Sequence, residues 1–133
     1  MIKRKIVWIV LCLAFFHSCS ENDNINDPKV EALEDVVIDV VFFEFTPDTG
    51  NNTSRLRYDI QFANSNAIPV KGFYEIVLNA DGMLTTTLSS NNSPCYEIDA
   101  NSECIFSFDE EESLDVAIIN SIRLISVSYN IFD

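Results

Sequence analysis

From Arg55 to Phe62 the chain alternates strictly, with Leu56, Tyr58, Ile60 and Phe62 on one parity and Arg55, Arg57, Asp59 and Gln61 on the other. A period of two places every apolar member on one face of an extended strand and every polar member on the opposite face. A helix would scatter the same residues around its circumference. The segment therefore requires a sheet with one buried and one wet face. Arg55 and Arg57 project from the wet face, where ion-paired surface charges are the simple reading and a substrate clamp the sharper one.

The rest of the chain repeats this grammar. Val36 to Phe45 is β-branched and aromatic, and its polar members Asp39 and Glu44 have opposite parity, so either a bulge re-phases the strand or both faces are partly covered. Thr46 to Ser54 collects proline, glycine and asparagine and reads as a turn. After the break Asn64 to Pro69, Gly72 to Asn79 resumes with Tyr74, Ile76 and Leu78 on one side. Asp81-Gly82 is a hairpin turn leading to Met83 to Ser89, whose threonines suit a strand exposed on one side. Tyr96 to Ile98 and Cys104 to Phe108 read as two short strands. A tight turn at Asp99 and Ala100 would set Cys95 opposite Cys104 in a non-hydrogen-bonded pair. The acidic run Asp109 to Glu112, followed by Leu114, Ala117 and Ile118 at helical spacing, predicts one or two helical turns. Ile122 to Ile131 closes as a strand with Ile125, Val127, Tyr129 and Ile131 on one face. Six to eight short strands joined by turn-rich loops predict an all-β protein, an antiparallel β-sandwich of about seven strands.

The N-terminus says where such a domain goes. Lys3, Arg4 and Lys5 precede the apolar run Ile6 to Phe16, then His17, Ser18 and Cys19. That run is shorter than the roughly 20 residues a membrane span needs and has the parts of an export signal. Ser18 before Cys19 resembles the cleavage site of a bacterial lipoprotein, although Phe16 and His17 stand where the lipobox carries leucine and a small residue. The acidic Ser20 to Asn24 is similar to the segment after the lipidated cysteine in Bacteroidetes-type surface lipoproteins. The resemblance implies cleavage after residue 18, acylation of Cys19 and attachment to the outer membrane, with the cell surface suggested; an ordinary secreted protein cut nearby, or an uncleaved N-terminal anchor, is the plainer reading of the same stretch. Residues 19–34 would be an acidic flexible tether and residues 35–133 the folded domain.

Removing residues 1–18 leaves five cations against 21 carboxylates, a formal net charge of −16. Such a surface repels nucleic acid and anionic headgroups and favours cationic or metal-bearing partners. The only histidine, His17, and the only tryptophan, Trp8, leave with the signal. Without histidine there is no Ser-His-Asp or Cys-His engine and no histidine zinc site. Catalysis is accordingly not expected. Cys12 also leaves, Cys19 carries lipid, and Cys95 and Cys104 remain to form a disulfide in an oxidising compartment. No cofactor is expected. Calcium is the one metal considered, with Asp48, Asn51 and Asn52 in one loop and Asp109 and Glu111 in the acidic run as candidate ligands. Solvated acidic loops are the simpler account of the same residues.

The series Phe62-Ala-Asn-Ser-Asn66, Ile68-Pro-Val70, Asp81-Gly82 and Ile98 to Glu103 is similar to bacterial immunoglobulin-like domains of the cell-adhesion-related type, and also resembles the water-stress domain. Ala100-Asn101 stands where the former prefers glycine. The resemblance implies an immunoglobulin-like fold over Val36 to Tyr129. The function expected is a lipid-anchored, non-catalytic module that contacts a protein or glycan. One rival is a structural accessory subunit, which would show an apolar patch or an open sheet edge. The other is a small hydrolase, which would need a carboxylate-lined cleft.

Overall fold

The chain divides into two units at Glu31/Ala32. The structure, a computed structural model, describes residues 32–132. The signal segment, Cys19 and all but the last three residues of the tether lie outside the described residues. The second unit is all-β: β1 (Val37–Thr46), β2 (Thr53–Asn64), β3 (Val70–Ala80), β4 (Met83–Leu88), β5 (Glu97–Ile98), β6 (Ser102–Ser113) and β7 (Ile122–Ile131). No helix is present among the described residues.

Every strand pairing is antiparallel. One sheet runs β1-β2-β6, with the alternating segment at its centre. In the second sheet β3 is central and pairs with β4, β5 and β7. The Tyr74 carbonyl accepts from Ser89 N–H after β4, and Gly72 N–H donates to Tyr96 before β5. Even-numbered backbone groups of β3 share one edge, so β4 and β5 lie end to end along it, with β7 on the other edge.

The even members of β2 and β3 meet between the sheets. Tyr58, Ile60, Phe62, Tyr74 and Ile76 are all at most 3% exposed. Phe62 stacks on Tyr74 at 5.3 Å between ring centroids and meets Tyr129 at 5.4 Å, while Tyr74 meets Phe106 at 5.0 Å. These rings come from β2, β3, β6 and β7, so the two sheets share a single core. Burying aromatics of this size supplies the main stabilising term, roughly 25 cal/mol per Å2 of apolar surface. Gly72 has a packing reason. A Cβ there would overlap the Tyr129 ring edge and the Asn130 carbonyl. Its absence lets Tyr129 lean across β3 and donate its hydroxyl to the carbonyls of Cys95 and Tyr96.

Several expectations are met in detail. The register of β1 against β2 shifts between Val40 and Phe42, so of the two readings left open by the parity of Asp39 and Glu44 the bulge is the one present. Asp81 and Gly82 have φ of 48° and 94°, the two positive values a two-residue hairpin turn needs. Cys95 and Cys104 are at bonding distance, with Cα atoms 5.6 Å apart.

Four expectations are corrected. The disulfide does not close a hairpin: Cys95 lies in a turn before β5 of one sheet, and Cys104 lies on β6 of the other, opposite Phe62. It therefore ties the two sheets together. Residues 109–112 continue β6 as strand instead of capping a helix, because the β2 partner strand runs on to Thr53 and satisfies their backbone groups. Ile125 does not share the face of Val127 and Tyr129. A bulge opposite Val77/Leu78 rotates it outward, and Leu124 and Ile122 take the inward positions. Finally, β4 is exposed on both faces.

Candidate functional site

Along β6 the inward parity is Cys104, Phe106 and Phe108, and strand geometry carries it on to Glu110 and Glu112. The register places Glu110 opposite Leu56 and Glu112 opposite Ser54, both on the inward face of β2. Phe108 stacks on Tyr58 at 4.8 Å, so the aromatic core ends where the carboxylates begin. Beyond Phe108 the two sheets leave a cleft of about 190 Å3. Phe45, Leu56, Leu78, Phe108 and Ile122 form its apolar wall, and Glu110, Glu112, Ser54 and Thr85 contribute its polar atoms. Ser54 is 6% exposed, whereas both glutamates reach solvent.

The outward parity of the same run is electrically satisfied. Arg55 holds Asp109 by paired 2.7 Å hydrogen bonds and approaches Glu111 at 3.6 Å. Arg57 pairs with Glu44 and lies over the Phe42 ring at 5.5 Å. The Arg55 hydrogen bond draws the Asp109 carboxyl below the usual carboxylate range, and the same bond raises the Arg55 guanidinium. The ion-paired surface reading of both arginines matches this geometry. Among the described residues no cation lies within ion-pairing distance of Glu110 or Glu112. Alternation along one strand has thus sorted four consecutive carboxylates into an outer pair that shares Arg55 and an inner pair without a cation.

Beside this cleft runs the free edge of β4. The pairs Ala80↔Met83, Leu78↔Thr85 and Ile76↔Thr87 flank the two-residue turn with their backbone groups directed at each other. The N–H and C=O groups of Leu84, Thr86 and Leu88 therefore point away from β3, along an edge that pairs with no strand among the described residues. All six β4 residues are uncharged and exposed, Met83, Leu84 and Leu88 each above 60%. Natural edge strands are blunted by charge, proline or bulges. This one has none of these devices.

The opposite end of β2 is closed by a buried amide network. Asn64 Nδ2 donates to the carbonyls of Ile68, Ile98 and Asp99 at 3.0–3.2 Å. Its Oδ1 accepts from the Asn66 backbone and side chain. Asn66 Oδ1 then accepts from Glu34 N–H and Nδ2 donates to the Glu34 carbonyl, pinning the entry of the domain.

The calcium candidates are not gathered into one set. Asp48 caps its own turn by accepting from Gly50 N–H, and Asn52 accepts from Leu114 N–H through its carbonyl. Asp109 and Glu111 are occupied by Arg55. Among the described residues no cluster of three or more metal-ligating side chains occurs. Reasoning from sequence missed Glu110 and Glu112 as cleft residues. The signal was present: Cys104, Phe106 and Phe108 set a parity that the next two even positions continue.

The cleft can hold a group that is apolar along its length and positive at its tip. Its volume is below the roughly 300–1,000 Å3 of small-molecule pockets, and its wall offers few groups to a polyhydroxylated sugar. Comparison of the chain with protein-family models, curated proteins and solved structures found no match.

Proposed function

We propose that this chain is a lipid-anchored, non-catalytic accessory module of the outer membrane that holds a partner protein by strand addition along β4, the open sheet edge that the accessory-subunit reading calls for. The observation that carries the reading is the unblunted edge Met83–Leu88, six uncharged residues of which Leu84, Thr86 and Leu88 direct their backbone groups outward to no strand among the described residues. An extended segment laid against it gains a ladder of main-chain hydrogen bonds and covers Leu84 and Leu88. A protein partner is favoured over a glycan because that edge offers backbone pairing and apolar contact.

The anchor rests on the sequence from Lys3 to Cys19. An immunoglobulin-like β-sandwich is the architecture we assign. Its support is the neighbour order: β1, β2 and β6 correspond to A, B and E, and β7, β3 and β4 to F, C and C′. The inter-sheet cystine joins a different pair of positions from the B–F bond of antibody domains, so the likeness is one of topology.

A photoreactive amino acid placed at Thr86 tests the binding reading in intact envelopes, with Ser107 on the outer face of β6 as the comparison site. Thr86 should yield one discrete protein adduct that disappears in a Leu84→Lys/Leu88→Lys background. Absence of an adduct at Thr86, or equal cross-linking at Ser107, contradicts it. For the anchor, a fatty-acid probe should label the wild type and not Cys19→Ala. Equal labelling of both would remove that part of the reading.

A further inference from the structure

We infer that the segment added to β4 is cationic, with a lysine or arginine abreast of Thr85 that enters the cleft and is held by Glu110 and Glu112. The inference rests on strand addition at β4 and specifies its partner. A strand pairing with β4 would lie about 4.8 Å beyond it, its side chains alternating between the same two faces. Met83, Thr85 and Thr87 share parity with the inward residues of β3, and Thr85 itself lines the cleft together with Glu110 and Glu112. A side chain abreast of Thr85 on the same face therefore points into the gap in front of those two carboxylates.

Chemistry selects what fills that gap. Facing sheets stand about 10 Å apart, a distance that the four-carbon stem of lysine or the longer arginine largely spans. The stem would lie along Leu56 and Phe108 while the charged end stays with the carboxylates and water. A neutral apolar side chain in the same place would strip water from Glu110 and Glu112 and return no hydrogen bond. An acidic one would add a third negative charge. Among the described residues no cation reaches the gap: of the four, Arg55, Arg57 and Lys71 are ion-paired on other surfaces. Arg123 is paired in register with Asn79, on the parity opposite to the inward Ile122 and Leu124.

The test uses two fluorescent peptides of alternating valine and threonine, one with lysine and one with norleucine at the central inward position. Both are titrated by anisotropy onto the folded domain. The lysine peptide should bind about five- to tenfold more tightly at low salt, the value of two partly exposed ion pairs. The preference should collapse in 0.5 M salt and in Glu110→Gln/Glu112→Gln. Thr86→Pro, which removes one outward N–H and leaves the β3 ladder intact, should abolish binding of both peptides. Equal binding of the two peptides, with Thr86→Pro still abolishing both, would overturn the cationic partner and leave strand addition standing. Failure of both peptides to bind, or binding insensitive to Thr86→Pro, would overturn strand addition and the inference with it. Salt dependence on the wild type keeps the result independent of how the variants fold.

Discussion

Asn64→Asp changes one atom type at the most densely bonded side chain of the domain. Asn64 is 2% exposed, and its amide nitrogen serves three carbonyls while its oxygen serves Asn66. A carboxylate keeps the acceptor and turns the donor into a second acceptor facing the Ile68, Ile98 and Asp99 carbonyls. The bond to Ile98 is fully buried, so that carbonyl loses its side-chain donor without access to water, and each group so abandoned costs about 1–3 kcal/mol. Adding the repulsion of a buried charge against carbonyl dipoles brings the loss to about 4 kcal/mol. For a domain of this size that lowers Tm by roughly 15–20 °C. Differential scanning calorimetry at pH 7 measures it, with Asn79→Asp as the control, because Asn79 uses only its oxygen, toward Gly82 N–H. The Asn64→Asp carboxyl should have a raised pKa, so stability is fully present below its unfolded value and is lost as pH rises through the folded one. Part of the loss should therefore be recovered at pH 4. An Asn64→Asp protein melting within 1 °C of the wild type at pH 7 would refute the reasoning.

Reducing the Cys95–Cys104 bond, or replacing both cysteines by alanine, should destabilise by about 2.5 kcal/mol, the closure entropy of a loop with sequence separation 9. A melt lowered by roughly 10 °C checks this, and free thiols in the native protein would contradict it. The Asn120 backbone N–H, followed by its side chain and by Ser121, holds the Asp81 carboxyl below its usual range. Its stabilising contribution is present above the unfolded pKa and disappears as pH falls through the folded one, so Asp81→Asn should flatten the acid limb of a stability–pH curve. Burial, then Tyr74, then the charge of Glu110 push the Tyr58 hydroxyl up to about 12. The stability conferred is intact below about pH 10 and lost by about pH 12, roughly 2–3 kcal/mol in all, and denaturant titrations should show a shallower alkaline fall for Tyr58→Phe.

Local pattern revealed which face β2 and β3 bury, and partner choice was what it concealed. The parity of Leu56, Tyr58 and Ile60 fixed the centre of one sheet, and Tyr74, Ile76 and Leu78 the centre of the other. Nothing near Cys104 announces that its strand pairs with β2, more than 40 residues earlier in the chain at that position, instead of with its neighbour Tyr96 to Ile98. Four consecutive carboxylates satisfy a helix N-terminus and a salt-bridged strand equally well. The deciding fact, Arg55 opposite Glu111, is a long-range register. The bulge that turns Ile125 outward has no local signature, because Leu124 and Ile125 are equally apolar. Asn64 and Asn66 looked like loop residues, and their role depends on carbonyls brought to them from residues 68 and 98–99.

The claim on which the functional account stands is that β4 offers a free edge, and residue-resolved amide hydrogen exchange on the isolated domain reads it directly. Protection should alternate: Met83, Thr85 and Thr87 slow, because their amides face β3, and Leu84, Thr86 and Leu88 near the unprotected rate. Adding the lysine peptide should slow the second set alone. Equal protection of both sets in the unliganded domain would mean the edge is already covered, and the account would fail there.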